Sequence, residues 1–188
     1  MTKLEFDRRF DPAYGAAEQV SPLIRRVLAE NPSAFTFAGT GTYIVGRGKV
    51  AVIDPGPDLA SHMDALTQAL QGETVTHILV THTHRDHSPA SRPLQRLTGA
   101  PILAFGPHGT GRENQGDEVE EGADRDFRPD KELRDGDVIR GDGWTLEAVH
   151  TPGHTSNHLC FALAEEKALF SGDHVMGWST TVISPPDG

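Results

Sequence analysis

Residues 81–88 read Thr-His-Thr-His-Arg-Asp-His-Ser, directly after the apolar run Ile78-Leu79-Val80. In an extended segment, residues i and i+2 point to the same side. His82 and His84 therefore face one point in space. Asp86 and His87 follow where the chain must turn into a helix, and that turn presents them to a second point nearby. Imidazole and carboxylate are ligands that Zn²⁺, Mn²⁺ or Fe prefer, at about 2.0–2.2 Å for zinc. The arrangement suits two adjacent metals better than one. A HxHxDH spacing after an apolar strand repeats a ligand geometry, which separates it from a chance cluster of surface histidines.

Outward from this stretch the chain reads as alternating strands and helices. Upstream, Phe35–Phe37, Thr42–Val45 and Val50–Ile53 are short runs suited to strands, with residues 46–49 as a hairpin turn. Asp54-Pro55-Gly56-Pro57 stops the strand. Met63, Leu66, Ala69 and Leu70 recur at helical spacing and end near Gly72. Thr76–Val80 is the strand that feeds the histidines. Downstream, Ser88 reads as an N-cap and Pro89 as N1 of a helix that runs to Gly99. Pro101–Phe105 is a strand. Residues 106–130 are charged and glycine-rich without apolar periodicity, and read as a long mobile surface loop beside the site. Strands follow near Val138–Ile139, Trp144–Val149, His158–Leu163 and Ala168–Phe170.

Composition narrows the function classes. A length of 188 residues accommodates one domain with a sizeable core. The formal net charge of −10 is a poor basis for holding nucleic acid by bulk electrostatics. The single Cys160 rules out an internal disulfide. No stretch approaches the about 18 apolar residues of a membrane span, and residues 1–30 lack the apolar core of a secretory signal. A cytoplasmic enzyme is the expectation.

Two later stretches add candidate ligands. His150-Thr151-Pro152-Gly153-His154-Thr155 bends sharply after a strand, and Phe170-Ser171-Gly172-Asp173 ends another with a carboxylate. Both place side chains at the C-terminal ends of strands, where open α/β sheets gather ligands. His150 and His158 flank His154 and either orient a ligand, touch substrate, or are ordinary histidines. His62, His77 and His108 lie away from these motifs and His174 is ambiguous.

HxHxDH, then PGHT, then GD after a strand, in that order over about residues 33–183, resembles the metallo-β-lactamase superfamily. The resemblance implies an α/β (α+β) fold, a four-layer αββα sandwich with residues 31–188 as its domain and 1–30 as an N-terminal extension packed on it. It implies that His82, His84 and His154 hold a first metal, that Asp86 and His87 hold a second, and that Asp173 bridges both. Zinc is the expected ion, with Mn or Fe as alternatives. The wider phrasing around residues 81–90 and 171–182 is similar to the branch named after β-lactamase-like protein two, whose members include a single-strand-selective endoribonuclease.

Two departures bear on function. True zinc β-lactamases usually carry Cys or Ser where this chain has Asp173; an aspartate there is typical of thioesterase, lactonase and phosphodiesterase branches. The family also supplies a further histidine to the second metal well after that aspartate. No such residue follows Asp173 here, so the resemblance implies an N-terminal portion of a longer protein with an incomplete second layer.

A metal lowers the pKa of bound water to about 7. The expected function is therefore a hydrolase that directs a metal-bound hydroxide at an ester, thioester or lactone, with Asp86 or Asp173 orienting it and carrying a proton. The alternatives are a metal-dependent endoribonuclease acting on single-stranded RNA, with Arg85, Arg92 and Arg96 near the site, and a non-catalytic metal-binding form. Association with another chain is open. His84→Ala is expected to lower the metal content of the purified protein severely, by elemental analysis; unchanged content would remove His84 from the ligand set.

Overall fold

The structure, a computed structural model, describes residues 9–112, 122–183, 185, 187 and 188. In chain order it runs β1 (Ala17–Gln19), β2 (Ile24–Leu28), β3 (Gly41–Val45), β4 (Lys49–Ile53), α1 (Ala60–Ala69), β5 (Thr74–Leu79), α2 (Ser91–Thr98) and β6 (Ile102–Ala104). It continues with β7 (Lys131–Glu132), β8 (Val138–Arg140), β9 (Thr145–His150), β10 (Leu159–Leu163), β11 (Ala168–Phe170) and a 3₁₀ turn, Gly172–His174.

Side-chain alternation along the strands builds two cores from one sheet. In β4, Val50 and Val52 face one way while Ala51 and Ile53 face the other, and all four are buried. Ile78 and Leu79 in β5, and Ile102 and Leu103 in β6, divide in the same manner. Near-continuous apolar runs of this kind belong to strands covered on both faces. These strands lie in a seven-stranded sheet of order β1-β2-β3-β4-β5-β6-β7, antiparallel from β1 to β4 and parallel from β4 to β7.

One face is covered by α1 and α2 through Leu66, Leu70 and Leu94. The other packs on an antiparallel sheet of order β11-β10-β9-β8 through Leu146, Leu159, Phe161 and Phe170. The fold is a mixed α and β sandwich of two sheets with helices outside the larger one. Among the described residues no helix covers the outer face of the smaller sheet.

Three local expectations are corrected. Residues 17–28 do not lie on the domain as an extension but supply β1 and β2, with Ile24 and Val27 in the two cores. Arg25 and Arg26 interrupt the apolar pattern there, and Arg25 is drawn into the structure by Glu73 at 2.8 Å. Phe35–Phe37 is a turn rather than a strand: Ser33 and Phe37 form an isolated bridge, Phe37 takes a positive φ of 56°, and Phe35 is 73% exposed. The second helix begins at Ser91, because the Ser88 hydroxyl bonds Asp124 at 2.6 Å and the Ser88 amide bonds the His84 carbonyl. Its end at Gly99, with φ 74°, is as expected. Within residues 106–130, segment 113–121 lies outside the described residues, and β7 begins at Lys131.

Trp144 locks the two sheets together. It is 1% exposed, its Nε1 donates to the Lys49 carbonyl at 3.0 Å, and it meets His77 edge-on. Trp144→Ala is expected to cost about 3–5 kcal/mol, read as a shift in the urea midpoint; a loss under about 1 kcal/mol would contradict this placement.

Candidate metal centre

Strand ends deliver every candidate ligand to one rim. β5 runs into Thr81–His87, β9 into the bend that carries His154, and β11 into the turn that carries Asp173. The seam between the sheets is closed at the same place, since the Leu159 amide donates to the Thr81 carbonyl at 2.8 Å. The Asn157 side-chain amide also donates to the Thr83 hydroxyl at 3.0 Å and to the Gly106 carbonyl. These bonds fix the histidine loop and the His154 loop against each other.

Six residues come together: His82, His84, Asp86, His87, His154 and Asp173. The first group is His82, His84 and His154, with ligand atoms all within 4.8 Å of one another. His84 Nδ1 lies 3.1 Å from His82 Nε2 and 2.9 Å from His154 Nε2. Hydrogen bonding sets the tautomers. The Thr81 hydroxyl donates its one proton to Asp54 at 2.8 Å, so it accepts from His82 Nδ1 at 3.0 Å. His154 Nδ1 donates to the Val182 carbonyl at 2.6 Å. Both Nε2 atoms therefore aim bare lone pairs at the same point. A proton on His84 Nδ1 would serve only one of them, whereas a cation would satisfy all three nitrogens, and tetrahedral zinc would set them about 3.3 Å apart. The donor set fits such an ion.

The second group is His82, His87 and Asp173. His87 Nδ1 donates to Asp54 at 2.9 Å, which turns Nε2 toward Asp86 and Asp173, each at 3.3 Å. Asp173 spans the two groups: Oδ1 faces His87, and Oδ2 lies 3.6 Å from His154 Nε2. Asp86 is steadied by the Thr40 hydroxyl at 2.9 Å.

The electrostatics of the two groups differ. Burial, then the neighbouring imidazoles, pushes His82 well below the ordinary histidine pKa. Burial likewise lowers His154, against the pull of Asp173. Burial also opposes a charge on His87, but Asp86, Asp173 and Asp54 together raise it well above the ordinary value. Burial works against the charge on Asp86 too, yet His87 and its hydrogen bond hold that carboxyl far below the usual range. Asp173 is lowered by His87 against the same opposition.

Several supporting residues were not read from the sequence. Asp54 looked like a strand stop; it is 4% exposed, takes φ 49° and accepts from the Thr81 amide, the Thr81 hydroxyl and His87. An acidic residue closing the strand parallel to the histidine-bearing one was the available signal. Thr81 and Thr40 carried no signal beyond proximity. Among the other histidines, His158 stacks on His82 with centroids 5.0 Å apart, and burial lowers its pKa to about 3. His150 stacks on Phe105. His62 bonds Thr42 and His108 bonds Thr83. Arg92 is engaged by Asp130 at 2.9 Å and Arg85 donates to the Ala123 carbonyl. Arg96 lies in the last turn of α2.

A cavity of about 550 Å³ opens beside the cluster, bordered by Phe35, His84, Arg85, Asp86, His154 and Asp173. A second, of about 510 Å³, reaches Asp86, His87 and Asp173 from the side of Phe37, Tyr43 and Trp178. No helix among the described residues is long and apolar enough to cross a membrane.

A two-sheet sandwich with histidines and aspartates gathered at its strand ends defines a class, and the chain belongs to the metallo-beta-lactamase superfamily, whose profile matches residues 36–188. It is 37% identical over 175 residues to the atrochrysone carboxyl ACP thioesterase dmxR1 of Cryptosporiopsis sp. (strain 8999), covering 92% of this chain and 49% of that protein. It is 34% identical over 186 residues to the lactamase-like protein notP of Aspergillus sp. (strain MF297-2), covering 96% of this chain and 53% of that one. The chain spans about half the length of these curated relatives. Among solved structures, a beta-lactamase domain protein from Burkholderia ambifaria shares the fold with TM-score 0.73 at 21% identity, over 93% of this chain and 59% of that one. The metallo-beta-lactamase family protein TTHA1429 from Thermus thermophilus does so with TM-score 0.68 at 23% identity, over 88% and 64%.

The opposed pKa shifts predict two different pH dependences. His82 and His154, lowered, present neutral nitrogens down to acid pH. His87, raised, holds a proton that a cation must displace. Zinc affinity of the first group should fall only well below the ordinary histidine pKa of about 6.5, whereas that of the second should climb as pH rises through the raised His87 pKa. Metal-to-protein ratios at pH 6 and pH 8.5 check this: the ratio should increase with pH from about one. Loss of both ions in a single step would contradict it.

Proposed function

We propose that this chain carries a metal-dependent hydrolytic centre that acts on thioesters. The observation that carries the reading is the convergence of His82, His84 and His154 nitrogens beside Asp86, His87 and Asp173, at the wall of a cavity large enough for an organic substrate. The names of several relatives support the thioester class, as does the aspartate at position 173.

His82, His84 and His154 would hold the first zinc, or a similar ion, and His87, Asp86 and Asp173 a second. Such ions supply a nucleophile at neutral pH and Lewis acidity toward a carbonyl oxygen. The protein's own groups supply the rest. Asp173, with one oxygen toward each group, orients the attacking water as a hydrogen-bond acceptor. Asp86, held by Thr40, accepts a proton from it. Water's oxygen bonds to the acyl carbon, the carbon–sulfur bond breaks, and the pair of electrons leaves on sulfur.

The charge states favour that leaving group. Asp86 and Asp173 are both pushed toward the ionised form, so near neutral pH neither holds a proton to give to a leaving group. A thiolate, with a conjugate thiol pKa of about 8.5, departs without an acid. An alkoxide does not, so esters should react more slowly than matched thioesters. An RNA substrate finds less support, since Arg92 is engaged by Asp130 and the chain carries a net charge of −10.

One zinc-loaded preparation assayed on an acyl-pantetheine thioester, its oxygen ester and labelled single-stranded RNA tests this. The thioester should be cleaved fastest, RNA should stay intact, and a chelator should stop turnover. Asp173→Asn should reduce kcat/KM by about 100-fold or more. RNA cleavage with the thioester left intact would overturn the assignment.

A further inference from the structure

We infer that His158 is a positioning residue for the metal centre, fixing the plane of the His82 ring and the approach of the turn that bears Asp173. This rests on reading the His82 cluster as a metal site.

His158 is fully buried, and its Nε2 has no hydrogen-bond partner among the described residues. A polar ring placed where one nitrogen goes unpaired costs free energy that an apolar side chain would not. Its shape and position must therefore compensate. The ring lies nearly parallel to His82, at 24° with centroids 5.0 Å apart. Its own Nδ1 is tied to the Thr151 hydroxyl at 3.0 Å, and that hydroxyl in turn meets Cys160 Sγ at 3.3 Å. The stacking surface is therefore itself held from behind.

His82 is held both at an edge and across a face as a result. The Thr81 hydroxyl, at Nδ1, sets the direction in which Nε2 points. The flat face of His158 opposes rotation of the ring about its Cβ–Cγ bond, which would swing Nε2 out of its present plane. Imidazole donates along its ring plane, so a rotated ring would carry the lone pair off the point shared with His84 and His154.

The opposite edge of His158 meets Gly172. A Cβ on Gly172 would lie 2.8 Å from His158 Nε2 and 2.8 Å from the Thr81 hydroxyl, and Gly172 has φ 47°. The backbone preceding Asp173 is thus seated against His158 with no room for a side chain. One ring touches both a first-group nitrogen donor and the peptide that places the spanning carboxylate.

The experiment compares wild type, His158→Ala and His158→Phe. Zinc affinity is measured by chelator competition, the cobalt-substituted protein is followed by visible absorption, and each variant's Tm is recorded with zinc removed. Phe keeps a flat ring and discards both nitrogens. His158→Ala should weaken zinc binding by about 10–100-fold and alter the cobalt absorption bands, whereas His158→Phe should retain the wild-type bands and an affinity within about three-fold. A loss of Tm alone, with bands and affinity unchanged in His158→Ala, would overturn the inference and leave a purely structural residue. Equal loss in the Phe and Ala variants would overturn it too, since the ring plane would then not be what matters. Failure of the wild-type chain to bind zinc or cobalt would defeat the underlying metal-site reading instead.

Discussion

The Asp54 carboxylate receives three hydrogen bonds at the end of β4: from the Thr81 amide at 2.7 Å, the Thr81 hydroxyl at 2.8 Å and His87 Nδ1 at 2.9 Å. A carboxylate 4% exposed is tolerated only when its oxygens are occupied in this way. The arrangement decides which nitrogen each histidine turns outward. Through Thr81 it fixes His82, and directly it fixes His87. The spacing of the histidine motif places the rings, and Asp54 selects their tautomers. Losing it would leave a buried hydroxyl and an imidazole N–H without acceptors at the base of both groups.

A second constraint is the seam between the sheets. β5 and β10 belong to different sheets, yet the Thr81 carbonyl accepts from the Leu159 amide. Asn157 and His158, just before β10, reach back to the histidine loop through Thr83 and His82. The cluster is therefore assembled only when the sandwich closes, and packing around Trp144 and Phe161 supports geometry some distance away. The His87 proton balances Asp54, Asp86 and Asp173 in this arrangement, a role that a divalent cation in the second group would take over.

Much of this was legible in the sequence. Strands over Thr42–Val45 and Val50–Ile53, the hairpin between them and the strand before His82 follow from short β-branched runs and their turn residues. The gathering of His82, His84 and His87 follows from period-two geometry and the turn after it. Placing His154 and Asp173 beside them needed the order of motifs, because 70 residues separate His84 from His154 along the chain. β2 was not legible because Arg25 and Arg26 break its apolar pattern, although both find acidic partners. The start of α2 was misplaced because Ser88 looks like a cap but its hydroxyl is engaged by Asp124. Asp54 resembled a turn residue because its partners lie 27 and 33 positions away.

X-ray absorption at the zinc edge, on protein loaded with one equivalent of zinc near pH 6, examines the central claim most directly. The arrangement of His82, His84 and His154 predicts three imidazole nitrogens at about 2.0–2.1 Å in the first coordination shell, completed by an oxygen donor. Fewer than two imidazoles around the ion, or a shell made only of oxygen, would show that these rings converge for some purpose other than holding a metal.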